Sequence, residues 1–192
     1  AENTVIIYTS DNGFFNGSHG YGSKVLPYEE SSRVPMIIYD PRSKNSGKEL
    51  RSAALTGNVD FAPTILKLAG VSVPDNMDGE DLLKLYEKPK AKIHDALPLI
   101  NVWGTKQAQS LSIVTKDWKY IYGPWAGEGF EATEELYQLS KDRLELNNLV
   151  DQPEQKRTLE AMRRAYDGAV EHWDDESVSY HRYKEYATIF LL

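Results

Sequence analysis

The sequence contains no cysteine among its 192 residues. Disulfides, zinc-thiolate sites, thiol nucleophiles and dithiol redox chemistry are therefore excluded within the chain. Positive charge is in deficit: 22 Lys and Arg stand against 29 Asp and Glu, a net charge of -7. Nothing here neutralises a phosphate backbone in bulk, which argues against a nucleic-acid partner. Long apolar runs are missing as well, and the roughly 20 residues that a membrane span requires are nowhere found. Internal repeats and low-complexity segments are absent. What remains is a globular composition, 41% hydrophobic, 27% charged and 11% aromatic, long enough to bury a core and sized for one domain or one and a half.

Thr4 to Tyr8 and Val34 to Tyr39 are short, β-branched apolar runs of the kind found in buried strands. A Gly-rich polar stretch, Ser10 to Lys24, lies between them. A natural domain seldom begins at a core strand, so the chain is expected to be a piece of something larger. Pro41 to Arg51 reads as a surface loop and Asp60 to Ala69 as a helix. Asp60 is the predicted N-cap, Pro63 sits in the first turn, Gly70 is the stop, and Phe61, Ile65, Leu68 and Ala69 form the apolar face. Strand, loop, strand, helix at this spacing predicts α/β layering.

The texture changes after a short helix around Asp81 to Tyr86 and a linker at Lys88 to Lys92. His94 to Trp103, Ser110 to Lys116, Lys119 to Tyr122 and Glu135 to Leu139 alternate as strands of an antiparallel sheet. A long amphipathic helix, roughly Pro153 to Asp174, follows with Leu159, Met162, Tyr166, Ala169, Val170 and Trp173 on one side. The apolar C-terminus, Ile189 to Leu192, is expected to be buried. The predicted fold is thus α/β, a mixed sheet flanked by helices over residues 1–90, then a small α+β unit over 91–192 with an antiparallel sheet and one long helix.

Asp11 and Asn12 follow the first strand directly, where open α/β sheets place their ligands. One anionic and one neutral oxygen suit Ca²⁺ or Mg²⁺. Asn-Gly is equally a common turn dipeptide, and a turn can present ligands. His19 and Lys24 on the Gly-rich loop could bind an anion and protonate a leaving group, or stand on a solvated surface. Gly17 to Lys24 is not a phosphate-binding P-loop, because Ser23 precedes Lys24 rather than following it. Arg33 could bind an anion or pair with Glu29 or Glu30. His94, His172 and His181 lack an accompanying acid or nucleophile and read as packing or surface residues.

The ordered segments resemble the C-terminal portion of a type I sulfatase of the alkaline-phosphatase-like superfamily. They run TSDNG at Thr9 to Gly13, HGYGSK at His19 to Lys24, YEESSRVPMII at Tyr28 to Ile38 and NVDFAPTILKLAGV at Asn58 to Val71. MDGEDL at Met77 to Leu82, KDWKYIY at Lys116 to Tyr122 and ELYQLSKDRLELNNLVDQP at Glu135 to Pro153 complete the series. The resemblance implies a large mixed sheet between helices, plus a smaller antiparallel sheet with a helix. It implies that Asp11 and Asn12 are the second pair of ligands to Ca²⁺ (Mg²⁺ in some members), that Lys24 contacts the sulfate and leaving oxygen, and that His19 sits at the substrate mouth.

The formylglycine nucleophile of such enzymes arises from a C/S-x-P-x-R motif, and neither that motif nor the first pair of acidic metal ligands is present. Both are expected upstream of Ala1, making the N-terminal part of the same longer chain a partner of this piece. The expected substrate is a sulfate-ester small molecule or a sulfated glycan, the piece alone is expected to be inactive, and members of the family are usually exported to the periplasm or secreted. The alternatives are a phosphodiesterase or phosphonate monoester hydrolase on the same scaffold, or a non-catalytic domain that binds sulfated polysaccharide.

Overall fold

A computed structural model describes residues 2–127, 132–178 and 180–191. In chain order its regular elements are β1 (Ile6–Tyr8), α1 (Glu29–Ser32), β2 (Ile37–Tyr39), α2 (Phe61–Leu68), α3 (Lys84–Glu87), β3 (Ala96–Asn101), β4 (Ser110–Thr115), β5 (Trp118–Gly123), β6 (Thr133–Gln138), α4 (Lys156–Glu176) and α5 (Tyr183–Ala187). The chain forms two compact units, one from residues 1–11 and 34–97, the other from 12–33 and 98–192. None of the helices described is long and apolar enough to cross a membrane.

In the first unit β1 and β2 pair antiparallel, with Ile7 opposite Ile38 and Ile6 opposite Tyr39. Side chains alternate across a strand, and here one face is open: Ile6 is 51%, Tyr8 59% and Ile37 61% exposed. The two runs expected as buried strands are therefore strands whose apolar face lies bare in this unit. Helix α2 also departs from expectation in detail. Asp60 is the N-cap residue as predicted, but its side chain makes no capping bond to the helix. Its carboxylate instead accepts the N–H of Gly57 (2.8 Å), three residues back, and that of Glu80 (2.7 Å). The turn Asn58–Asp60 thus precedes the helix and has Gly57 at its own capping position. The helix buries Pro63 and Thr64 rather than the predicted apolar stripe, and Ile65 is 53% exposed. The reason is local: Thr64 Oγ1 accepts the N–H of Leu82 (3.0 Å), which seats that side of the helix on the 79–83 segment. Gly70, at φ +70, ends α2 as predicted, with the Val71 N–H bonded back to the Leu66 carbonyl (2.9 Å).

The second unit is built on a four-stranded antiparallel sheet in the order β3-β4-β5-β6. Tyr120 on β5 stands opposite Ile113 on β4 and Leu136 on β6, and these three form the buried centre. The outer edge of β6 is finished by a side chain: Asn148 Oδ1 accepts the Leu136 N–H (2.9 Å), and the Leu149 N–H reaches the Leu136 carbonyl (2.8 Å). This occupies an edge that would otherwise offer unpaired backbone. Helix α4 follows a 3-10 turn begun by Pro153. It buries Leu159, Met162, Tyr166 and Val170, the 3–4 spacing that the sequence shows. Tyr166 meets Tyr120 and Tyr122 edge-on, with centroids 5.5 and 5.9 Å apart, and its hydroxyl donates to the Phe190 carbonyl (2.7 Å). Phe190 is buried and stacks on Trp173, whereas Leu191 is exposed. Leu192 and the side chain of His181 lie outside the described residues. His172 is exposed, and His94 is half-buried with Nε2 2.7 Å from Asp60 Oδ1.

Candidate active-site loop

Residues 10–33 carry the sequence-predicted site. Asp11, exposed, ends the first segment of its unit, and its carbonyl accepts the Asn58 side-chain amide (2.9 Å). Asn12 begins the other unit and spends its Nδ2–H on the Gly13 carbonyl (2.7 Å). Gly13 is glycine for want of space. A Cβ there would lie 2.0 Å from the Glu30 carbonyl oxygen, and the Gly13 N–H donates to the Ser31 carbonyl (2.7 Å). The turn after Asn12 is therefore laid directly on the backbone of α1.

The loop then folds over Phe15, which is 1% exposed and meets the rings of His19, Tyr21 and Tyr28 edge-on. Gly17, His19, Gly20 and Ser23 all take positive φ, so the loop is wound through left-handed turns. For His19, at φ +53, that conformation is uncommon and costs about 1 kcal/mol. Its ring offsets the cost by stacking on Tyr28, with centroids 4.3 Å apart and planes 16° apart. Its Nε2 lies 3.6 Å from Glu30 Oε2. Lys24 has an exposed side chain, and its carbonyl accepts the hydroxyl of Ser31 (2.5 Å). Residues 24–27, Ser31, Ser32 and 99–101 line a small cleft of about 140 Å³.

Beneath the loop is an ionic cluster that sequence reasoning missed. Lys119, on β5, is fully buried, and its Nζ lies 2.9 Å from Glu29 Oε1 and 2.9 Å from Glu145 Oε1. The same ammonium donates to the Pro27 carbonyl (2.9 Å) and to Ser32 Oγ (3.3 Å). Glu145 Oε2 accepts the Glu29 N–H (2.6 Å). Burial pushes the Glu29 carboxyl up, but Lys119 and then Arg33 outweigh it and hold Glu29 below the usual carboxylate range. At Glu145 burial wins, and the carboxyl is raised despite Lys119. Arg33 pairs with Glu29 at 3.2 Å across one helical turn, which settles its two sequence readings in favour of the pair. Tyr28 and Tyr137 both donate to Glu135 Oε2 (2.9 and 2.6 Å). Burial, then the adjacent carboxylate, push both phenols up and keep them protonated.

The structure thus brings Asn12, His19 and Lys24 onto one loop anchored to α1. A ring nitrogen of His19 and one carboxylate oxygen each of Glu30 and Glu145 also lie within 4.8 Å of one another. The Lys119 ammonium already occupies Glu145 Oε1, so positive charge is supplied there by the protein itself.

Residues 17–171 match the family described as N-sulphoglucosamine sulphohydrolase, C-terminal. The chain belongs to this sulfatase family. An arylsulfatase of Clostridium perfringens is 33% identical over 171 residues, covering 84% of this chain and 32% of that protein. An N-acetylglucosamine-6-O-sulfatase of Bacteroides thetaiotaomicron is 48% identical over 86 residues, 45% of this chain and 15% of its own length. Among solved structures, one in complex with its substrate D-glucosamine-2-N,6-O-disulfate superposes with a TM-score of 0.79 at 30% identity, covering 94% of this chain and 37% of that one. The arylsulfatase homologues that match most of this sulfatase C-terminal chain are about three times its length. The neighbours also bear out the fold expected from sequence: mixed α/β, with a four-stranded antiparallel sheet and a long C-terminal helix.

Proposed function

We propose that this chain is the C-terminal part of a longer sulfatase that hydrolyses sulfate esters of a sulfated amino sugar. The observation that carries the reading is the superposition, over 94% of the chain, on a structure holding a sulfated glucosamine. Residues 1–90 would close the catalytic α/β domain and 91–192 form its antiparallel subdomain.

Asp11 and Asn12 would hold the cation, Ca²⁺ or Mg²⁺. The donor set fits. Both side chains offer hard oxygens, and the Asn12 amide is oriented by its N–H bond to the Gly13 carbonyl. A divalent cation there would spread the charge of the sulfate oxygens. The attacking group, expected as a formylglycine, would come from the N-terminal part of the longer chain, because no C/S-x-P-x-R motif is present. Lys24 would contact the sulfate and the leaving oxygen, where a cation stabilises developing negative charge and an ammonium can give up a proton. His19, packed on Tyr28, would stand at the substrate mouth as a fixed hydrogen-bonding edge.

The N-terminal part would also cover the bare face of β1 and β2. Lys24→Ala in the full-length protein tests the reading: turnover of a sulfated glucosamine should fall at least about a hundredfold. The 192-residue chain alone should turn over no aryl sulfate. Hydrolysis by the pure chain, abolished by Lys24→Ala, would refute the assignment of the nucleophile to the missing part.

A further inference from the structure

We propose that Ser31 is a positioning residue for Lys24, one that ties the lysine to the turn carrying Asn12. Ser31 is 4% exposed and sits inside α1. Its hydroxyl and its carbonyl both engage the loop. Its hydroxyl donates to the Lys24 carbonyl at 2.5 Å, and its carbonyl accepts the Gly13 N–H at 2.7 Å. One buried residue therefore fixes the main chain of Lys24 and the main chain just after Asn12 against the same helical turn. That turn is itself immobilised, because Lys119 holds the Pro27 carbonyl, Ser32 Oγ and the Glu29 carboxylate from below. A lysine side chain has four rotatable bonds and little preference among them. Where its ammonium goes depends first on where its Cα is held. Lys24 and Ser31 both line the same small cleft.

This inference rests on the proposed role of Lys24 at the sulfate and leaving oxygen. It differs from a stability role in what it predicts. A lysine displaced by a fraction of an ångström loses charge stabilisation on the leaving oxygen, so poor leaving groups suffer most. In the full-length protein, Ser31→Ala should lower kcat about tenfold on phenyl sulfate but only about twofold on 4-nitrophenyl sulfate, with KM within about twofold of wild type on each. On a Lys24→Ala background the same change should cost less than about twofold, because the residue it positions is gone. Ser31→Cys, close in volume and a weaker donor, should fall between wild type and Ser31→Ala with the same bias. It carries the test alone if the alanine variant does not fold.

Equal losses on the two esters, or an undiminished loss on the Lys24→Ala background, overturn the positioning role while leaving Lys24 in place. Wild-type turnover by Lys24→Ala overturns the reading of the site itself.

Discussion

At the scale of single residues, the loop is governed by contacts with almost no slack. Gly13→Ala would drive a Cβ to 2.0 Å from a backbone oxygen, and backbone cannot yield as a side-chain tip can. The variant should lose about 2–3 kcal/mol in chemical denaturation. Lys119 is the other critical residue. Lys119→Met keeps the volume but leaves half-buried Glu29 and buried Glu145 without their shared cation. The loss should reach about 3–5 kcal/mol.

The two carboxylates also have opposite pH signatures. Glu29 titrates below its unfolded value, so its contribution is present at neutral pH and lost as pH falls through the lowered value. Glu145 titrates above its unfolded value, so its contribution is present in acid and lost as pH rises through the raised value. Raising the pH from the ordinary carboxylate range should therefore lower the melting temperature of Glu145→Gln less than that of wild type.

Elements are held by a smaller number of directed bonds. Arg163 on α4 reaches both oxygens of Glu134 on β6 (2.5 and 2.6 Å), and the Tyr120 hydroxyl donates to the same carboxylate (2.7 Å). Arg163's bonds hold Glu134 below the usual range, against some burial, with Tyr120 assisting. Arg163→Met should cost about 1–2 kcal/mol at pH 7. The difference from wild type should shrink as pH falls through the lowered Glu134 value, a trend that denaturation at pH 7 and pH 3 would show.

The sequence made these elements readable where the signal is periodic. Alternation revealed β3 to β6, and the Leu159, Met162, Tyr166 and Val170 spacing revealed α4. Asp11, Asn12, His19 and Lys24 were singled out as candidates because strand ends and Gly-rich loops are where such chemistry sits. Ser31, Lys119 and Glu145 were not. Lys119 looks like one more polar residue of an alternating strand, and its bond to Pro27 spans 92 positions. No local pattern records a partner that distant. The apolar face of α2 was misread for a related reason: Thr64 packs inward because of a bond to Leu82, which composition cannot show.

For the whole molecule, the open face of β1 and β2 is the feature that separates a piece from a finished protein. Ile6, Tyr8, Ile37 and Tyr39 stand on one side of two short strands, each 39–61% exposed. Apolar surface of that kind is covered or it associates. The isolated chain should bind an apolar dye, and Ile6→Lys with Ile37→Lys should abolish most of that binding. The same pair of changes in the longer protein should instead lower its yield of folded material, because the proposed N-terminal part would cover that face.

The Glu29 amide hydrogen points at a carboxylate that is closed off from water, and the ammonium beside it holds four groups at once. Freeing that hydrogen to solvent means breaking the whole set together. In deuterium the amide should stay unexchanged about as long as those in the middle of β5, although it belongs to a single helical turn at the end of a surface loop.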